Sequence, residues 1–116
     1  MIPARFSQSA SALRYRAVVT ARALSDAVLR AGGEPLTVHP WARTGQLDQD
    51  LVTAVGERLA FADGVLLPGG GDLAPARYGA EVAHGEVYDV DEEQDCFDLA
   101  VAARALGAGV PVLGIC

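Results

Sequence analysis

The sequence contains no lysine, and its nine arginines are scattered along the chain instead of clustered. Fifteen acidic residues bring the formal net charge to −6. Proteins that bind nucleic acids present a concentrated basic surface, so we expect no nucleic-acid partner. No apolar run approaches the roughly 18 residues of a membrane-spanning helix, and we therefore expect no membrane-embedded segment.

Cysteine is scarce as well, with only Cys96 and Cys116 in 116 residues. Two cysteines do not make the disulfide framework of a small secreted domain. The first residues also lack the basic-then-apolar order of a signal peptide. We therefore expect a cytoplasmic protein with reduced thiols. Histidine, cysteine and acidic residues nowhere show metal-ligand spacing, so the sequence predicts no metal and no other cofactor.

Aromatic residues make up 6% of the chain, but hydrophobic residues, most of them aliphatic, make up 51%. A chain of this length and composition can bury a core within one domain. Apolar periodicity predicts a weak strand at 2–6, helices at 15–31, 48–59 and 91–108, and strands at 35–39, 65–68 and 110–115. This alternation favours an α/β fold in which helices cover the faces of a parallel sheet.

The helix predicted at 15–31 depends on apolar residues three to four positions apart, such as Val18, Leu24 and Val28. A serine-rich loop precedes it, and Ser9 or Ser11 is placed to cap its N-terminus. The helix predicted at 91–108 buries Phe97, Val101 and Leu106.

Three further residues of the helix at 91–108 carry groups that could do chemistry. Asp95 and Asp98 are predicted to act as caps or surface ion-pair partners rather than as ligands. Cys96 lies in the middle of the helix, so we expect it to be half-buried and inert.

The segment Pro68-Gly69-Gly70-Gly71-Asp72, called the glycine loop below, directly follows an apolar strand. Three consecutive glycines let a substrate approach the backbone and leave N–H groups free to point outward. Such a loop can cradle a phosphate or stabilise an oxyanion. The phosphate-binding spacing and the Walker lysine are absent, and Asp72 would repel a phosphate, so the oxyanion role suits the loop better.

The strand predicted at 110–115 ends on Cys116, and we expect its end to lie beside the glycine loop. The Gly114-Ile115-Cys116 sequence is typical of the first half of a nucleophile elbow, a sharp strand-to-helix turn that exposes a nucleophile. A buried cysteine at the end of a strand is equally compatible with these three residues. They leave both interpretations open.

Three spaced motifs, DGVLLPGGGDLAPARYG, DVDEEQDCFDLAV and VPVLGIC, resemble the class I glutamine amidotransferase superfamily, in particular its γ-glutamyl-γ-aminobutyrate hydrolase branch. The family pattern is roughly L-P-G-G-G-D-x-x-P-x-x-Y-G, D-x-x-R-D-x-x-E and P-x-L-G-I-C-R-G. This chain departs from the pattern at Gln94, where arginine is usual, and at Asp98, where glutamate is usual. The ordinary first-strand sequence is also missing near Ile2.

The resemblance implies a flavodoxin-like parallel sheet with helices on both faces. Residues 1–116 would be the N-terminal half of a single domain, truncated at the nucleophile elbow. Cys116 would be the nucleophile. Gly70 would form the oxyanion hole with the amide of the residue after Cys116, while Gly69, Gly71 and Asp72 would contribute to binding. Asp72 could instead orient the glycine turn through backbone bonds, and we expect an added Cβ to be worse tolerated at Gly70 than at Gly71.

The function implied is hydrolysis of a γ-glutamyl amide, with a small-molecule γ-glutamyl substrate as the partner, through a thioester on cysteine. The family's general base is a histidine downstream of the cysteine, and both histidines here, His39 and His84, precede it. We therefore expect the chain alone to be inactive. Two alternatives stay open: a glutaminase subunit that delivers ammonia to a synthase, and a non-catalytic flavodoxin-like binding module. Under each of the three functions a homo-oligomer is possible.

Overall fold

The computed structural model describes residues 1–7, 17–41, 49–80 and 84–116. Its strands are β1 (Ile2–Pro3), β2 (Arg5–Ser7), β3 (Ala17–Val19), β4 (Thr37–Val38), β5 (Val65–Leu67) and β6 (Val112–Gly114). Its α-helices are α1 (Arg22–Arg30), α2 (Gln49–Leu59) and α3 (Glu92–Gly107), and a short 3-10 helix covers Pro75–Tyr78.

Four of these strands run parallel to one another in the spatial order β4–β1–β5–β6. Strand β1 pairs with β4 and β5 pairs with β6. The two pairs are joined where the Leu66 N–H donates to the Met1 carbonyl at 2.9 Å. Strand β1 thus lies between β4 and β5, so strands that come later in the sequence flank it on both sides. This arrangement confirms the predicted α/β, flavodoxin-like partial fold. The carboxyl ends of β5 and β6 meet at one edge, where open parallel sheets bind ligands.

The hydrophobic core lies between this sheet and the packed pair α2 and α3. Its buried residues are Met1, Leu51, Val55, Leu59, Val65, Cys96, Phe97, Ala100, Val101 and Ala105. Alternate strand residues point to opposite faces, so Leu66 and Leu113 face away from this core. They line a cavity together with Val28 of α1. Helices therefore lie on both faces of the sheet, as the sequence predicted.

The prediction of one helix over 15–31 is wrong at its start. Residues 17–19 form β3, which pairs antiparallel with β2 and places Val18 opposite Phe6. Three consecutive β-branched residues, Val18-Val19-Thr20, favour this extended conformation. Helix α1 begins only at Arg22, after an N-cap residue, Ala21, whose side chain cannot cap. The predicted caps at 9 and 11 lie outside the described residues.

Helix α3 agrees with its predicted bounds to within one residue at each end. The carboxylate of its N-cap residue, Asp91, accepts hydrogen bonds from the Glu93 and Gln94 N–H groups, each at 3.0 Å. Phe97 and Val101 are buried as predicted. Leu106 is 69% exposed, and its predicted place in the core was wrong.

The N-cap of α3 gives a first test of the fold. We expect Asp91→Ala to lower the free energy of unfolding by about 1 kcal/mol, because two helix N–H groups lose their acceptor. Asp91→Asn keeps an acceptor oxygen and should lose much less. Urea denaturation of both variants measures the difference, and equal losses would show that the charge of Asp91 matters rather than the cap.

Candidate functional site

The ends of β5 and β6 bring the glycine loop and Cys116 together, as the sequence predicted. The Ile115 N–H donates to the Leu67 carbonyl at 2.9 Å, which extends the pairing beyond the strands. A Cβ added to Gly69 would lie 3.0 Å from the Ile115 carbonyl oxygen and 3.4 Å from the Cys116 Cα. Glycine at 69 therefore permits this close approach of the two chain segments.

A cleft of about 440 Å³ opens at this edge of the sheet. It is lined by the glycine loop, Cys116, residues 88–91 and the first turns of α3. Cys116 is exposed, in contrast to the buried Cys96. A thiol at the end of one strand and backbone groups at the end of its neighbour thus face one cavity, an arrangement that suits nucleophilic attack on a carbonyl.

Gly71 has no space for a side chain, which reverses the expected ranking of the loop glycines. A Cβ there would overlap the Asp89 carbonyl oxygen and lie 2.8 Å from its carbonyl carbon. Asp89 itself has a φ of 51°, a left-handed conformation that aspartate tolerates better than most residues. A Cβ at Gly70 would meet the Arg5 side chain, at 3.2 Å. The contact at Gly70 is longer than the one at Gly71 and involves a side chain instead of backbone, so Gly70 is the more tolerant position.

Asp72 is bound to the segment that crosses in front of the glycine loop. Its N–H donates to the Tyr88 carbonyl at 3.0 Å, and its carboxylate accepts the Tyr88 N–H at 3.2 Å. The Tyr88 hydroxyl in turn donates to the Gly70 carbonyl at 3.2 Å. Asp72 therefore orders the loop through bonds to Tyr88, not through bonds within the loop itself. No sequence pattern indicated this role of Tyr88, because the residue lies in an irregular stretch without periodicity.

Arg5 also contacts the glycine loop, and no sequence pattern indicated its role. Its guanidinium donates to the Pro68 carbonyl and forms an ion pair with Asp98 of α3. Gln94 lies beside them and donates to the Ala4 carbonyl at 3.1 Å and to the Asp98 carboxylate at 3.2 Å. Gln94 and Asp98, the two departures from the family pattern, therefore belong to one network.

The acidic residues of α3 are more buried than predicted. Asp95 is 5% exposed, and its carboxylate accepts the Ala74 N–H at 2.8 Å, which fixes the chain after the glycine loop. Asp98 forms the predicted ion pair, but its side chain is only 15% exposed. The predicted surface position of Asp95 and Asp98 was wrong, because each carboxylate binds a residue distant in sequence and is partly covered by it.

The burial of Asp98 predicts a pH dependence. Burial raises the pKa of Asp98 above its ordinary value of 3.8, against the opposing effects of Arg5 and Gln94. A carboxyl with a raised folded-state pKa contributes stability below its unfolded pKa, and that contribution is lost as the pH rises through the folded pKa. The free energy of unfolding of the wild type, minus that of Asp98→Asn, should therefore fall as the pH rises above the ordinary pKa of 3.8. A difference that grows with pH would show that the ion pair with Arg5 dominates.

Neither histidine is among the residues that line the cleft. His39 donates from Nδ1 to the Pro40 carbonyl at 3.0 Å and meets the Phe6 ring edge-on. His84 accepts the Glu86 N–H at 3.3 Å. Both side chains therefore have local contacts, and the expectation that neither is the general base stays a prediction.

Cys96 is 1% exposed, so the prediction of half-burial was wrong. Arg77 donates to its sulfur at 2.8 Å. Burial raises the pKa of the Cys96 thiol, and the opposing effect of Arg77 is smaller. Because the thiolate is the reactive form, this environment supports the prediction that Cys96 is inert.

Within the described part of the chain, no three His, Cys, Asp or Glu side chains converge as metal ligands would. None of the described helices is long and apolar enough to cross a membrane.

The fold and the cleft define an α/β protein whose candidate site lies where two parallel strands end, with a cysteine beside a glycine loop. The Peptidase C26 family profile matches residues 2–116, and the chain belongs to this family. Similar proteins include the glutamine amidotransferase-like protein RP404 of Rickettsia prowazekii, 31% identical over 96 residues, which are 82% of this chain and 30% of that relative. The glutamine amidotransferase-like YvdE homolog of Lactococcus lactis subsp. cremoris is 36% identical over 70 residues, which are 60% of this chain and 37% of the relative.

These matches confirm the predicted class I glutamine amidotransferase superfamily. The γ-glutamyl-γ-aminobutyrate hydrolase branch stays a prediction. The chain spans about a third of the length of these curated relatives, between 30% and 37%.

Proposed function

We propose that the natural protein that carries this chain is a glutamine amidotransferase-type hydrolase that cleaves γ-glutamyl amides through a thioester on Cys116. One observation carries the proposal: the exposed Cys116 and the glycine loop face the same cleft. Membership of the Peptidase C26 family supports it. A reduced thiol is required for this chemistry, so a cytoplasmic location, where thiols are kept reduced, is part of the proposal.

In the proposed mechanism a general base takes the proton of the Cys116 thiol, and the sulfur attacks the γ-carbonyl carbon of the substrate. The carbonyl oxygen becomes an oxyanion, which the Gly70 N–H stabilises from the adjacent strand end. The C–N bond then breaks and the amine leaves with a proton from the general base. Water attacks the resulting γ-glutamyl thioester, releases glutamate and restores the thiol. Because neither His39 nor His84 lines the cleft, the proposal takes the base from elsewhere in the natural protein.

A second candidate is a glutaminase that delivers ammonia to a synthase. The names of the relatives, both glutamine amidotransferase-like, favour it. The chemistry at the cysteine is the same, so the leaving group separates the candidates. A hydrolase should accept γ-glutamyl derivatives of larger amines, whereas an ammonia donor should prefer glutamine and respond to an acceptor enzyme.

The proposal is tested by incubating the natural protein with glutamine and with a panel of γ-glutamyl alkylamides, and by measuring the glutamate released. We expect turnover of at least one alkylamide that exceeds turnover of glutamine. Preference for glutamine would favour the ammonia donor. Absence of glutamate from every substrate would contradict both candidates.

A further inference from the structure

We infer that Arg5 is a positioning residue for the glycine loop, which it fixes at the Pro68 carbonyl so that the Gly70 N–H is directed at the oxyanion. This inference deepens the proposed function and rests on it. Arg5 lies in β2, and its side chain is 23% exposed.

The contacts of Arg5 fix the direction of the loop where it leaves β5. One terminal nitrogen of the guanidinium donates to the Pro68 carbonyl, and the other donates to the Asp98 carboxylate. A guanidinium is rigid and planar, so the bond of one terminal nitrogen to Asp98 also orients the other terminal nitrogen, which donates to the Pro68 carbonyl. The peptide between Pro68 and Gly69 is thereby tied to α3.

The Arg5 side chain also lies next to Gly70. A Cβ built on Gly70 would be 3.2 Å from the Arg5 Nε and 3.5 Å from its Cδ. The same side chain lines the cleft of Cys116 and a second cavity of about 400 Å³ next to Gly69 and Ile115. Arg5 thus lines both cavities next to the loop.

Ion pairing alone does not account for this arrangement. The Arg5 Nε is buried and has no hydrogen-bond partner among the described residues, which costs desolvation free energy. A buried ion pair is often no more stabilising than apolar residues of similar volume. Its bond to Pro68 gives Arg5 a role that apolar residues could not fill. Among the described residues that line the cleft Arg5 is also the sole arginine, and its charge is paired with Asp98.

Hydrogen–deuterium exchange of the 68–72 peptide tests this inference without any need for turnover. We expect Arg5→Gln to speed exchange of the Asp72 amide, whose N–H donates to the Tyr88 carbonyl, roughly 10-fold, because the loop loses its support. Lysine keeps the charge but has a single donor nitrogen, so we expect the exchange rate in Arg5→Lys to lie between those of the wild type and Arg5→Gln. Arg22→Gln is the matched control, because the Arg22 side chain is 92% exposed and its ion pair among the described residues is with Asp26, four positions away. Unchanged exchange in Arg5→Gln and Arg5→Lys would overturn the inference.

Kinetics of the natural protein separate positioning from general stabilisation. We expect Arg5→Gln to lower kcat roughly 10- to 100-fold with little change in KM, since a misdirected donor affects the transition state most. If Arg5 only formed an ion pair, Asp98→Asn would cause the same loss and the double variant would lose no more. We expect the double variant to lose more than Asp98→Asn, because in Asp98→Asn the Arg5 guanidinium is less well oriented but can still donate to the Pro68 carbonyl. Where the wild type shows no turnover the proposed function fails, and loop exchange still decides the role of Arg5.

Discussion

Cys116→Ala is expected to abolish release of glutamate by the natural protein, while its free energy of unfolding changes little. Cys116 is exposed, so removal of its sulfur leaves no cavity in the core. Loss of a nucleophile lowers kcat by about 10⁴- to 10⁶-fold in cysteine- and serine-type hydrolases. Steady-state kinetics and urea denaturation of the same preparation measure the two effects.

The second cysteine offers a matched control with the opposite expectation. Cys96 is buried in the core between the sheet and α3. Cys96→Ala should therefore lower the free energy of unfolding by about 1–2 kcal/mol and leave kcat nearly unchanged. If turnover survived Cys116→Ala but was lost in Cys96→Ala, the nucleophile would be Cys96 and its assignment to Cys116 would be wrong.

Gly71→Ala is expected to destabilise the protein by about 2–4 kcal/mol and to lower kcat strongly. The new Cβ would overlap the Asp89 carbonyl, which is backbone and cannot rotate away. Either the glycine loop or residues 88–91 must move, and both line the cleft. The proposed oxyanion donor at Gly70 would be displaced with them.

Two other glycines show whether this effect belongs to the loop. Gly70→Ala keeps its N–H and presses on the Arg5 side chain, so we expect a smaller loss than at Gly71. In Gly107→Ala the new Cβ meets nothing within 4 Å, and this helix position should become more stable by about 0.5–1 kcal/mol. A Gly71→Ala variant as stable and as active as Gly107→Ala would refute the close contact with Asp89.

Local sequence patterns predicted the parts of the fold that depend on neighbouring residues. The apolar runs before Pro68 and Cys116 identified two strands, and the alternation of strands and helices predicted that strands of this sheet run parallel. The start of α1 was wrong because Val18 fits a helical stripe as well as a strand. Its pairing with Phe6, twelve residues earlier, decides between them, and tertiary pairing of this kind overrides local propensity.

The supports of the candidate site had no local signal. Arg5 reaches Pro68 and Asp98 across 63 and 93 residues of sequence. The contact between Gly71 and Asp89, and the burial of Asp95, likewise depend on segments that the fold brings together. The sequence could thus identify the thiol and the loop, because each is a contiguous motif, but not the residues that orient them.

The central claim is that Cys116 forms a γ-glutamyl thioester within this cleft. Acid quenching of the natural protein during turnover of a γ-glutamyl alkylamide, followed by peptide mass spectrometry, tests it most directly. The account predicts a γ-glutamyl adduct on the peptide that contains Cys116 and none on the peptide that contains Cys96. Turnover with an adduct on any other residue, or with Cys116 unmodified while a Cys116→Ala variant stays active, would contradict it.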